Sequence, residues 1–182
     1  GTKKMFPETF TVQFIKAQDL RYGENPHQHA AFYRETDQPV SAISTAFQLQ
    51  GKELSYNNIM DSDAAWQMVS DFDLPASVIV KHANPCGAAT SERDIATAYV
   101  KAMETDPVSA FGGIVALNRP VDKKAAAELS KIFLEVIIAP AFDEEAKALF
   151  SAKKNLRLLE IPRNDTGRTG YDYRRVVGGL LI

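Results

Sequence analysis

A lysine and a histidine stand side by side at Lys81-His82, directly after a run of β-branched residues and directly before Asn84-Pro85 and Gly87. Val78-Ile79-Val80 has the composition of a buried strand, and Asn-Pro followed by Gly that of a polar turn, so the chain passes from core to surface within two residues. In an open α/β sheet ligands collect at the carboxyl ends of strands, which is where a buried strand would deliver this pair. An ordinary strand exit capped by solvated charges fits the same residues, and the pair alone leaves both readings open. A second group lies in Leu20–Tyr33, LRYGENPHQHAAFY, dense in turn formers and rich in polar and aromatic side chains able to grip a ligand. Arg21 is its key member, because guanidinium is a planar, permanently charged fork of donors suited to phosphate. Arg21 and Tyr22 also fit a loop anchored by surface ion pairing and ring packing.

Three further features carry less. Phe111-Gly112-Gly113 after a strand break has the glycines of a phosphate loop, but neither a GxGxxG pattern nor a Walker lysine accompanies it. Cys86, the single cysteine, excludes an internal disulfide and a multi-cysteine zinc site; it is either a nucleophile or a small packed side chain. His82 through Gly87 is similar to the His-x-Glu and Pro-Cys-x-x-Cys elements of zinc deaminases compressed into one turn. The chemistry fails: Asn84 cannot shuttle protons as the glutamate does, Ala89 stands where a second cysteine is needed, and two ligands do not make a three-ligand site.

The elements that must position these residues follow from punctuation and periodicity. Met5 to Leu20 reads as a linker leading into a strand. Residues 43–57 read as a short strand, a Gly-Lys turn and a bend. A helix capped by Asp61 or Ser62 runs to about Phe72, the central strand follows Pro75, and Ser91 opens a second helix with Ile95, Ala98, Tyr99, Ala102 and Met103 on its apolar face. Strands are expected at Ser109–Leu117, Glu135–Pro140 and Leu156–Ile161, with helices capped by Asp122 (to about Leu134) and by Asp143 (to Lys153) between them. This alternation specifies an α/β fold: three layers, a mainly parallel sheet with helices on both faces. Pro162–Arg175 is charged and turn-rich, and VVGGLLI is expected to pair with a later part of a longer protein or to dock on this sheet.

Composition bounds the rest. With 182 residues, 45% hydrophobic and 24% charged, the chain suffices for one full core or two small ones. A net charge of −2 gives no electrostatic argument for nucleic acid or an anionic membrane. No stretch approaches a membrane span and the first residues lack a signal-peptide layout, so a cytoplasmic setting is expected.

Six blocks in order, RYGENPHQ (21–28), LSYNNIMDSDAAW (54–66), VIVKHANPCGAA (78–89), DPVSAFGGIVALNR (106–119), EVIIAPAFDEEA (135–146) and RRVVGGLLI (174–182), closely resemble the AICAR transformylase region of the bifunctional purine biosynthesis protein family. The resemblance covers the first half of that region, so residues 1–19 are expected to be a linker with its leading strand and 20–182 the first of two subdomains. It implies a cytidine deaminase-like fold without zinc, duplicated across the two halves. It implies formyl transfer from 10-formyltetrahydrofolate, as co-substrate, to the 5-amino group of AICAR. Lys81 and His82 match the family's adjacent catalytic Lys and His, Arg21 and Tyr22 its Arg-Tyr, and Gly112 its Phe-Gly turn. The substrate-binding carboxylate falls on Glu135, and a phosphate-contacting lysine falls on Lys154, beside Lys153. The resemblance also implies a homodimer in the complete protein, with folate-binding groups in the second half, so residues 1–182 alone are expected to be inactive. A non-catalytic ribonucleotide-binding or dimerisation module is the alternative from another class.

Overall fold

The computed structural model describes residues 6–36, 40–163 and 171–182. In chain order its strands are β1 (Phe14–Leu20), β2 (Ala30–Glu35), β3 (Phe47–Gln50), β4 (Ala76–Lys81), β5 (Asn84–Thr90), β6 (Ile114–Leu117), β7 (Val136–Ala139), β8 (Arg157–Glu160), β9 (Arg174–Val176) and β10 (Gly179–Leu181). Its helices are α1 (Tyr56–Ser70), α2 (Ile95–Thr105), α3 (Pro107–Ala110), α4 (Lys123–Leu129) and α5 (Glu144–Phe150). Six strands form the central sheet in the order β3-β8-β7-β6-β4-β5, while β1-β2 and β9-β10 are separate antiparallel ribbons.

Side chains alternate between the faces of a strand, and here the alternation sorts the core into two halves. Val78, Val80, Ile114, Ala116, Val136, Ile138 and Leu159 point to one face, where α1 covers them with Ala65, Trp66 and Val69. Ile79, Val115, Leu117, Ile137, Ala139 and Leu158 point to the other, against Tyr99 and Ala102 of α2, Leu129 of α4 and Phe150 of α5. The strands are apolar without interruption because both faces are covered, and each buried Val, Ile or Leu contributes about 1.5–3 kcal/mol before chain entropy is subtracted. The result is the expected three-layer α/β arrangement. No helix among the described residues is long and apolar enough to cross a membrane.

The sheet is mixed. β6, β7 and β8 run parallel, and β5 shares their direction; β4 and β3 oppose them. Four of six strands thus point one way, but the strand carrying Lys81-His82 does not. The NPCG segment also differs from its expected turn: Asn84–Thr90 is β5, returning antiparallel along β4 after a two-residue loop. Pro85 is tolerated because β5 is a sheet edge, and a register shift between Ile79 and Val80 takes up Cys86 as a bulge. Gly87 serves close approach rather than turning, since a Cβ there would sit 2.1 Å from the carbonyl oxygen of Ala102 on α2.

Helix boundaries shift for local reasons. α1 begins at Tyr56, well before the expected Asp61 or Ser62, because Ser55 caps it: Ser55 Oγ accepts from the Asn58 amide (3.1 Å) and Asn58 Oδ1 accepts from the Ser55 amide (3.2 Å). Asp61 and Ser62 lie buried inside the helix. Asp94, not Ser91, caps α2 through the Thr97 amide (2.7 Å). Asp122 caps α4 as expected, though the helix stops at Leu129. Ser109 belongs to the short α3, and β6 starts only at Ile114. The apolar C-terminal run folds on itself as β9-β10, turning at Gly178 (φ +77°), and Tyr171 and Tyr173 pack on Phe10. Within the turn-rich 162–175 segment, residues 164–170 lie outside the described residues.

Candidate active site

Because β4 runs against β6, its carboxyl end lies where β6, β7 and β8 begin. Lys81 and His82 therefore sit at the same end of the sheet as the residues that precede those strands, namely Gly112 before β6, Glu135 before β7 and Lys154 before β8. The expected exit at a strand's carboxyl end is correct for β4, but at this end the parallel strands present their amino termini.

Hydrogen bonds join the pieces. Lys81 Nζ donates to the Phe111 carbonyl at 2.8 Å, holding the lysine over the turn that carries Gly112. Gly112 takes φ +73°, a left-handed conformation that favours glycine, and its amide donates to the Phe133 carbonyl at 2.8 Å. The Glu135 amide donates to the Gly113 carbonyl (3.1 Å), so the carboxylate stands one strand from Gly112. The Arg157 amide donates to the Glu135 carbonyl (3.1 Å), carrying the line on to β8. Lys154 is exposed in the turn before β8; Gln50 Nε2 braces that turn by donating to the carbonyls of Phe150, Lys153 and Leu156.

The loop between β4 and β5 is His82-Ala83 alone, since Lys81 pairs with Asn84. Both loop residues have φ +56°. Asn84 Nδ2 donates to the His82 carbonyl (2.8 Å), and the His82 side chain is exposed. Among the described residues no hydrogen bond engages the His82 ring.

Arg21 and Tyr22 follow β1 and so lie off the central sheet, the Arg21 guanidinium 6.0 Å from the centre of the Tyr22 ring. Asn57 Nδ2 donates to the Glu24 carbonyl at 3.3 Å, tying this loop to the first turn of α1. That turn is at the Lys81 end of the sheet, because Asn58 Nδ2 donates to Glu135 Oε2 at 2.7 Å. The fold thus sets Lys81, His82, Gly112 and Glu135 on neighbouring elements at one end of the sheet, sets Lys154 at the same end two strands away from Gly112, and leaves Arg21 and Tyr22 on a tethered loop.

Cys86 resolves as a packed side chain. Its Sγ lies 3.6 Å from the Ile79 carbonyl, and burial pushes the thiol above its ordinary pKa, which suppresses the nucleophilic thiolate. Among the described residues no three His, Cys, Asp or Glu side chains are grouped to hold a metal.

Two residues that touch this cluster escaped the sequence reading. Asn58 is 4% exposed, and its cap and its bond to Glu135 use opposite ends of one amide. Asp61 is 8% exposed and accepts from the backbone amides of His82 (3.1 Å) and Ala83 (2.6 Å). Their i, i+3 spacing was available as a signal, but only once the helix is started at Tyr56.

The glycine turn, the carboxylate and the Lys-His loop thus lie on neighbouring elements at one end of an α/β sheet. The AICARFT/IMPCHase bienzyme family matches residues 1–182, the full sequence, and the chain belongs to that family, whose enzymes act in purine biosynthesis.

Proposed function

We propose that this chain forms the AICAR-binding and proton-transferring part of a folate-dependent formyl transfer, in which 10-formyltetrahydrofolate formylates the 5-amino group of AICAR to give FAICAR on the route to IMP. The observation that carries this reading is the Lys81–Phe111 hydrogen bond, because it ties the lysine of the Lys-His pair to the turn that carries Gly112. The AICAR amine is a poor nucleophile, its lone pair drawn through the ring toward the carboxamide, so attack on the formyl carbon needs a base at the N–H.

His82 is that base. An imidazole nitrogen in its neutral form can accept that proton. As the new C–N bond forms and the bond from the formyl carbon to the folate nitrogen breaks, one amine proton passes to His82 and the departing nitrogen takes up a proton. Lys81 has donors left after bonding Phe111, and they favour the developing oxyanion or assist protonation of the leaving nitrogen. Arg21, with Tyr22 beside it, and Lys154 suit the ribonucleotide phosphate, Glu135 the ribose hydroxyls, and Gly112 a close backbone approach. The folate-binding groups are placed in the second half of the transformylase region and the complete site in a cytoplasmic homodimer, with no zinc involved.

The test supplies AICAR and 10-formyltetrahydrofolate to the complete protein and follows tetrahydrofolate release, with residues 1–182 assayed alongside. Turnover by the complete protein that His82→Ala abolishes is expected, with none from residues 1–182 alone. Weak AICAR binding by residues 1–182 is compatible with the proposal, because one captured reactant forfeits most of an alignment advantage of up to about 7–11 kcal/mol. Robust turnover by residues 1–182 would refute this division of labour. A complete protein that cyclises FAICAR but never forms it would refute the transformylase reading.

A further inference from the structure

The loop that presents His82 is in a conformation its own residues oppose. A two-residue hairpin with positive φ at both positions has the pattern of a type I′ turn, a geometry that favours Asn-Gly because a Cβ in the left-handed region crowds the backbone. Here the two residues are His82 and Ala83, each at φ +56°. Asn84 Nδ2 bonds the His82 carbonyl from within the hairpin, but the two loop amides are engaged from outside it.

The outside group is Asp61. Its carboxylate is nearly buried in α1, and each oxygen takes one of the two loop amides, Oδ2 that of His82 and Oδ1 that of Ala83. In the left-handed turn observed, both N–H groups reach this single carboxylate. Asn58, three residues earlier, orients Glu135 in the same way, so one strip of α1 fixes both a reacting group and a substrate group. Strain concentrated at a functional loop and balanced from a neighbouring element is a known way to hold a side chain ready.

We infer that Asp61 is a positioning residue for formyl transfer: it locks the His82-Ala83 turn in its left-handed form and thereby sets the direction in which the His82 imidazole meets the substrate amine. This rests on the reading of His82 as the general base. Asp61 touches no reacting atom.

The experiment compares Asp61→Asn, Asp61→Glu, Asp61→Asn/Ala83→Gly and His82→Ala in the complete protein, each assayed for kcat, KM for AICAR and melting temperature. Asparagine offers one acceptor and turns an amide toward the second N–H; glutamate keeps the charge but displaces it by a methylene. Each is expected to lower kcat by about tenfold to a hundredfold, the scale of a reacting group misplaced by about 1 Å, with KM for AICAR within about threefold. Ala83→Gly on Asp61→Asn is expected to restore most of that loss, because glycine takes positive φ without steric cost and the turn then holds without the carboxylate. A purely structural role of Asp61 within α1 would not be rescued from the loop.

If Asp61→Asn does not fold, Asp61→Glu decides by the same kcat criterion. Wild-type kcat in Asp61→Asn or Asp61→Glu, or a loss that Ala83→Gly leaves untouched, overturns the inference. His82→Ala separates the two claims. An inactive His82→Ala beside a fully active Asp61→Asn leaves the general base standing and removes the positioning role, whereas an active His82→Ala removes both.

Discussion

The two ends of the central sheet use polar residues for opposite purposes. At the carboxyl ends of β6 and β7, Asn118 is 2% exposed and spends its side chain on the backbone: its Oδ1 accepts from the Ala76 amide, and its Nδ2 donates to the Phe72 and Leu74 carbonyls, each at 2.8 Å. Arg119 adds bonds to the carbonyls of Asn118 and Asp73. These contacts give backbone groups of the loop between α1 and β4 hydrogen-bond partners. At the other end, buried Asn58 and Asp61 hold Glu135 and the His82 loop in place while the His82 ring and Lys154 face outward. Polarity closes the fold at one end and is held ready at the other. β4 enters the sheet reversed, so Lys81 and His82 emerge at the amino ends of the parallel strands rather than at their carboxyl ends.

This contrast can be broken by substitution at either end. His82→Ala is expected to have the largest effect: a general base contributes about 10²–10⁴-fold, so kcat for formyl transfer should fall by that factor while the melting temperature of the complete protein stays near wild type, since the side chain is exposed. Wild-type turnover in this variant would remove the functional end of the comparison.

Asn118→Ala should do the reverse. Three backbone groups lose their buried partner, and denaturant unfolding should show a loss of about 2–4 kcal/mol with kcat per folded molecule unchanged. A large drop in kcat with unchanged stability would mean the two ends are not separable.

Arg21→Ala sharpens the boundary of the functional end, because Arg21 is off the sheet and linked to it only through its loop and α1. Loss of a charge-assisted phosphate contact should weaken AICAR by about 1.5–3 kcal/mol, roughly ten- to a hundredfold, and the dephosphorylated nucleoside far less. Equal losses for both in a calorimetric titration would take Arg21 off the phosphate.

Tyr99→Phe should have the smallest effect and serves as a reference within the core. The Tyr99 hydroxyl is buried without a partner among the described residues, and burial, with a smaller contribution from Glu128, pushes its pKa up to about 12. Removing the hydroxyl should leave stability unchanged or raise it by up to about 1 kcal/mol at neutral pH. The raised pKa means the folded state binds this proton more tightly than the unfolded one. Wild-type stability should therefore fall as pH climbs from about 10 toward 12, and Tyr99→Phe should lack that part of the alkaline loss. A phenylalanine variant with the full wild-type alkaline slope would show that other groups cause it.

The three-layer α/β class was legible in the sequence because it depends on local quantities: uninterrupted apolar strands, helices opened at Asp122, whose side chain caps, and at Asp143, whose side chain makes no capping bond, and their alternation. The six blocks likewise carry the family resemblance in their residues alone. Cys86 stayed ambiguous between nucleophile and packing until its burial was known. What only the tertiary structure decided is where the local pieces meet. Asn-Pro-Cys-Gly has turn composition, yet it forms β5, because Pro85 falls on a sheet edge and Gly87 is needed where α2 comes close. Strand direction is a property of the pairing between β4 and β6, not of Val78-Ile79-Val80, so no count of β-branched residues could show at which end of the parallel strands Lys81-His82 emerges. Asp61 has the composition of a helix cap and instead lies within α1, because Ser55 and Asn58 had already capped the helix. Its partners, the amides of His82 and Ala83, are some twenty residues away in sequence, and only folding brings them within hydrogen-bond reach.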